Sequence, residues 1–125
     1  MDQNYPWLEK HLLGKPGAAK EFHQDFQCDR FLVGGKMFAM RGHDRDGRPI
    51  LTLKLDPGRG EDLRSRYGDI APGYYMNKLH WNSLFLGGAV PDDIVRGMID
   101  ESYSIVFLSL PKKTQMTIRP MTPTA

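Results

Sequence analysis

Apolar positions in this chain change their period several times, and each change marks an element. Trp7, Leu8, His11 and Leu12 fall at i, i+1, i+4 and i+5, one stripe of a short helix over residues 6–13. Pro6 suits its first turn and Gly14 its C-terminal cap. Lys15-Pro16-Gly17 then breaks the chain. From Phe26 to Arg41 the pattern is that of a β-hairpin, with Gly34-Gly35 as the turn because both residues permit the positive φ of a two-residue loop. This register pairs Val33 with Lys36 and Phe31 with Phe38. Phe31, Val33, Phe38 and Met40 then share one face, and Leu32, Met37 and Ala39 the other. Both faces are apolar, so the core side stays open.

Residues 44–49 form a charged turn. Ile50–Leu55 alternates as a half-buried strand, with Leu51, Leu53 and Leu55 inward. Asp56-Pro57 starts a helix that runs to about Tyr67 and stops at Gly68; Gly58 and Gly60 in its interior weaken it. Ile70–Gly73 is expected to turn the chain, Tyr74–Met76 to be a short strand and Asn77-Lys78 a turn. His80–Leu86 is a further strand, with Trp81, Ser83 and Phe85 on one face. Pro91–Leu110 is the longest helix, its buried stripe made of Val95, Met98, Ile99, Ser102, Tyr103, Val106 and Leu110. Pro111 stops it.

The expected order is α–β–β–β–α–β–β–α. Tight turns between consecutive strands imply an antiparallel sheet, and helices against one face give an α+β two-layer sandwich. Residues 1–113 form a single domain and residues 114–125 a mobile tail.

Composition narrows the class. The 125 residues are 40% hydrophobic and 26% charged, which suits one folded domain and argues against disorder over the whole length. No apolar run reaches the roughly 20 residues of a membrane span, and the N-terminus has no secretory pattern. The single cysteine, Cys28, excludes an internal disulfide and fits a reducing cytoplasm. On a strand it reads as a small buried hydrophobe.

The net charge of +2 is unevenly spread: −2 over residues 1–29, +4 over 30–90, −3 over 91–110 and +3 over 111–125. Cations of the middle segment can meet on an anion-facing surface or stand apart as solvated groups.

The candidate chemistry is sparse. His11, His23, His43 and His80 show no metal-ligand spacing. Asp44 and Asp46 lack the remaining ligands of a calcium loop. Asp92-Asp93 suits the N-terminus of the last helix. Ser102 reads as a small helix residue that bonds to a backbone carbonyl or lets the helix approach the sheet. A nucleophilic role would need a base such as His80 beside it.

Several segments, taken in order, resemble the MmcQ/YjbR family of bacteria. They are Gly34-Gly35-Lys36-Met37-Phe38-Ala39, Leu53-Lys54, Pro72-Gly73-Tyr74-Tyr75-Met76-Asn77-Lys78 with His80-Trp81, Glu101-Ser102-Tyr103, and Leu110-Pro111-Lys112-Lys113. The resemblance covers roughly residues 15–113. It implies a frataxin-like (CyaY-like) helix–sheet–helix sandwich and DNA binding through wing-like hairpins. Iron binding of the frataxin kind is not expected, because Tyr5–Leu13 has only Glu9 as an acid.

These readings lead to an expectation of weak, largely sequence-independent DNA binding by a cytoplasmic monomer without catalysis or cofactor. Lys36, Lys54 and Lys78 would meet phosphates, supported by Arg30, Arg41, Arg45, Arg48 and His80. Tyr74, Tyr75 or Trp81 would stack on bases; the competing reading makes Trp81 and one tyrosine core residues, Lys36 a hairpin-end lysine and Asn77-Lys78 a plain turn. A protein-interaction or small-ligand module of the same fold is the alternative, and an enzyme joining His80 to Ser102 a third.

Overall fold

Every neighbouring pair of strands runs antiparallel, in a six-stranded sheet of order β1-β2-β3-β4-β6-β5. The structure, a computed structural model, describes residues 4–73 and 77–119. The elements are α1 (Leu8–Leu13), β1 (Ala18–His23), β2 (Cys28–Val33), β3 (Lys36–His43), β4 (Pro49–Lys54), α2 (Pro57–Arg66), β5 (Ile70–Pro72), β6 (Trp81–Phe85), α3 (Asp92–Leu108) and α4 (Lys112–Ile118). The expected α+β layering is present, with helices packed on the sheet.

The core forms where the inward stripe of each helix meets the inward face of the strands. Phe31, Val33, Leu51, Leu53 and Leu84 come from the sheet, Leu8 and Leu12 from α1, Leu63 from α2, and Val95, Met98, Ile99, Tyr103 and Val106 from α3. The other face of the sheet carries Leu32, Met37, Met40, Ile50, Thr52, Lys54, Trp81, Ser83 and Phe85, by the register and alternation of β2, β3, β4 and β6. No described helix contributes to that side of the core.

Four expectations change. A strand precedes the hairpin: β1, Ala-Ala-Lys-Glu-Phe-His, pairs with β2 along its whole length. It is an edge strand with exposed residues at most positions, so no alternation marks it. Second, Phe31 pairs with Ala39, not Phe38, because the register shifts between Phe31 and Leu32. This bulge lets Phe38 and Ala39, neighbours in sequence, both bury fully. Third, Ile70–Pro72 is a strand at the far edge rather than a turn. Fourth, the segment after Pro111 is helical to Ile118, with Gln115 buried and its amide bonded to the Leu110 carbonyl at 2.8 Å. The expected strand at Tyr74–Met76 lies outside the described residues.

Two glycines are fixed by close approach. A Cβ on Gly60 would come within 2.9 Å of the Asn82 side chain, so the glycine that weakens α2 is what lets it settle on β6. Gly34 has φ +58°, and a Cβ there would also meet Leu110 at 2.7 Å.

Candidate nucleic-acid interface

The register sorts the expected cations onto two ends of the sheet. Val33 pairs with Lys36, Lys54 pairs with Trp81, and Ala39 pairs with Leu53. Lys36, Lys54 and Trp81 therefore lie at one end, and the turn Lys78–His80 leads directly into Trp81. Arg41, Arg45 and Arg48 lie toward or in the turn between β3 and β4, at the other end. The length of β4 between them is about 17 Å at the usual strand rise. The single basic sheet face anticipated from the sequence is therefore not formed.

At the arginine end the charges are compensated. Arg41 is only 8% exposed and bonds Asp29 Oδ2 at 2.7 Å and Glu9 Oε1 at 2.6 Å. Its guanidinium also lies 5.5 Å from the Phe31 ring centroid. This removes Arg41 from the phosphate-facing set: it ties α1 to the β2–β3 hairpin instead. The hydrogen bond from Arg41 holds the Glu9 carboxyl below the usual carboxylate range, with Lys20 assisting. Arg48 bonds Asp44 at 2.8 Å and stands 4.4 Å from the Phe85 centroid. Asp44 also accepts the backbone N–H of Asp46 and of Arg48, both at 2.9 Å. The pair Asp44/Asp46 thus closes a turn, with Arg45 exposed at its tip. Arg30, on β2, stands 3.6 Å from Glu21.

The lysine end differs. Lys36 and Lys78 are exposed and Lys54 half-buried, and among the described residues none of the three forms an ion pair. Lys54 Nζ stands 5.9 Å from the Trp81 ring centroid, within cation–π range. Lys78 Nζ donates to the Gly73 carbonyl at 3.3 Å. Lys36 pairs with Val33 on the helix side, whereas Lys54 and Trp81 share the helix-free side. They form a rim around the end of the sheet rather than a flat patch. Lys113, on α4, lines the same surface depression as Gly34 and extends the rim. Lys113 falls inside the expected domain but is not among the candidate cations, because only its place on α4 brings it to this end. Tyr74 and Tyr75 lie outside the described residues. His80 is half-buried, and its carbonyl accepts from Leu55 N at 2.8 Å.

Trp81 is half-buried on the helix-free face, so it belongs neither to the main core nor to an open platform. A Cβ on Gly73 would come within 2.7 Å of Trp81 Cβ; the glycine lets its own backbone pass close to the tryptophan.

Ser102 holds this end together. Its Oγ is fully buried, donates to the Phe38 carbonyl at 2.6 Å and accepts from Lys54 N at 2.8 Å. The hydroxyl thus bridges β3 and β4 beyond the last paired residues, Ala39 and Leu53. Both functions of the hydroxyl are spent on backbone groups of the sheet rather than on a carbonyl of its own helix, at a point where α3 lies close to the strands. Cys28 is buried, and burial pushes its thiol pKa up, which keeps it protonated at neutral pH.

Among the described residues, no group of three or more His, Cys, Asp or Glu is placed to hold a metal ion. No described helix is long and apolar enough to cross a membrane.

Known proteins resemble this chain in sequence and in fold. A family model described as YjbR matches residues 13–105. The Escherichia coli K12 protein YjbR, described as uncharacterized, is 32% identical over 106 residues, covering 85% of this chain and 89% of its own. Bacillus subtilis YyaQ, also described as uncharacterized, is 31% identical over 103 residues, 82% of each chain. The crystal structure of Deinococcus radiodurans protein DR2400, whose domain is described as DUF419, superposes with a TM-score of 0.80 at 32% identity, covering 89% of this chain and 84% of that one. A Pseudomonas syringae crystal structure gives 0.72 at 20% identity, covering 82% and 97%, and bears on the fold alone.

Proposed function

The chain belongs to the YjbR family, and from that premise we propose that it is a non-enzymatic, cytoplasmic DNA-binding protein. Binding is weak, largely independent of sequence, and made by the lysine rim. The observation that carries this reading is the contrast in charge compensation. Arg41 and Arg48 are held by carboxylates, while Lys36, Lys54 and Lys78 reach the surface with none paired to them among the described residues. Lysines on both sides of one sheet end suit a backbone that runs across the strands, touching phosphates and no base edge. Trp81, braced by Lys54, offers its indole ring for stacking on an unpaired base. In this reading the fold is of the frataxin (CyaY) type, supported by the helix–sheet–helix order.

The test is a salt titration of binding to a short duplex, read by fluorescence anisotropy. The logarithm of affinity should fall linearly with the logarithm of salt concentration. Each of Lys36→Ala, Lys54→Ala and Lys78→Ala should flatten the slope by roughly 0.9, one phosphate contact each. Arg41→Met should leave the slope unchanged. No binding at low salt, or binding indifferent to salt, refutes the proposal.

A further inference from the structure

The helix-free face has a second feature, which runs from Met37, beside the lysine rim, toward His43 at the opposite end. Strands β1, β2 and β3 enclose a depression of about 240 Å³, the volume of a ring-sized molecule. Cys28, Met37, Met40 and Phe26 give it apolar walls, and Arg30, His23 and His43 stand among them. No carboxylate is among its lining residues.

Two nitrogens here are left without partners. Arg30 Nε and His23 Nδ1 are both shut off from bulk water and bonded to nothing among the described residues. Arg30 Nε can only donate, so what it lacks is an acceptor. Among the described residues the guanidinium is ion-paired with Glu21, whose carboxylate stands 3.6 Å from Nη1, beyond hydrogen-bond length, and leaves Nε without an acceptor. Buried donors without acceptors destabilise a fold, and such groups persist where a ligand completes them. An apolar pocket with a few converging polar groups is the usual form of a small-molecule site.

We propose that this depression binds a small carboxylate with an apolar, ring-sized body. The body lies against Met37, Met40, Phe26 and Cys28; the carboxylate accepts from Arg30 and from His23. Gly42 keeps the floor open, since a Cβ there would approach Cys28 Cβ to 3.0 Å. The site uses none of the rim lysines, so it stands or falls separately from DNA binding.

The experiment uses the full chain with 13C-methyl methionine and titrates phenylacetate against its neutral isostere, phenylacetamide. Phenylacetate should shift the Met37 and Met40 methyl resonances saturably, with a dissociation constant on the order of 1 mM for so small a ligand. Phenylacetamide should bind roughly tenfold more weakly, because it brings no charge to the guanidinium. Arg30→Gln should reduce phenylacetate to the level of the amide while the other methionine signals stay in place. His23→Ala, on an edge strand, gives a second variant and should weaken phenylacetate severalfold. Equal binding of acid and amide overturns the proposal. So does the absence of saturable shifts up to about 20 mM, a concentration well above the expected dissociation constant, or a response centred on other methionines.

Discussion

The two ends of one sheet solve the problem of cationic side chains in opposite ways. At the β3–β4 turn, arginines are bonded to Asp29, Glu9 and Asp44 and lie against the rings of Phe31 and Phe85. At the other end, lysines stand toward solvent around Trp81. The fork geometry of arginine suits two carboxylates at once, while lysine is a hydrated point charge on a flexible stem. At these two ends, residue type goes with role: the arginines tie elements together and the lysines stay available to a partner, although Lys15 and Lys20 elsewhere are ion-paired to Asp100 and Glu9. A count of positive residues merges the two classes.

The largest expected effect falls at the lysine end. Ser102→Ala leaves the Phe38 carbonyl and the Lys54 N–H without their shared hydroxyl. It should cost about 2–4 kcal/mol in urea denaturation, as two buried backbone groups lose a partner. A cost below about 0.5 kcal/mol, the range of ordinary surface substitutions, would mean that the hydroxyl does not bridge β3 and β4.

Arg41→Ala tests the other end. It strands Asp29 and Glu9, and should destabilise by about 1–3 kcal/mol, below the value for a fully buried pair because both acids keep access to water. DNA affinity should not move beyond the loss expected from stability. A variant as stable as the parent but weaker on DNA would reverse the assignment of Arg41.

The hairpin at the lysine end offers a smaller contrast. Gly34 and Gly35 both have positive φ, at 58° and 81°. Gly34→Ala adds a clash with Leu110 to the backbone strain, whereas Gly35 meets nothing within 4 Å. Gly35→Ala should cost about 1 kcal/mol from strain alone, and Gly34→Ala measurably more. Equal losses in thermal denaturation would deny the contact with Leu110.

The smallest effect is a pH dependence. Burial would raise the Asp100 carboxyl, but hydrogen bonds from Lys15 and His11 outweigh it and hold its pKa below the ordinary value. Glu9 is lowered by Arg41. Groups with depressed folded pKa values contribute stability above their unfolded pKa of about 4 and lose it as pH falls through the folded value. The melting temperature should therefore decline below about pH 5, and Glu9→Gln with Asp100→Asn should flatten that decline. A parental curve no steeper than that of the double variant would remove these two acids from the account.

Much of this fold was legible because its long elements repeat a clear period. The stripe from Val95 to Leu110 is buried at every anticipated position, although α3 ends at Leu108; Leu51, Leu53 and Leu55 point inward as expected, but Ile50 and Thr52 on the opposite face are buried too, so β4 is not half-buried. The Asp56-Pro57 start of α2 and the Gly34-Gly35 turn follow from backbone preference alone. What escaped was held by distant contacts. β1 is strand-like only because β2 lies beside it, and α4 is anchored through Gln115 to the end of α3. The bulge at Phe38 has no local signature; its carbonyl is met from a helix 64 residues away.

Local sequence determined which segments become helices and strands, and which of their sides are apolar, since these depend on spacing along the chain. Tertiary structure alone decided which charges meet. Arg41 reaches Glu9 across 32 residues and Ser102 reaches Lys54 across 48, and such pairings depend on strand order and register. Register, in turn, was set by a bulge whose stabilising partners lie on other elements.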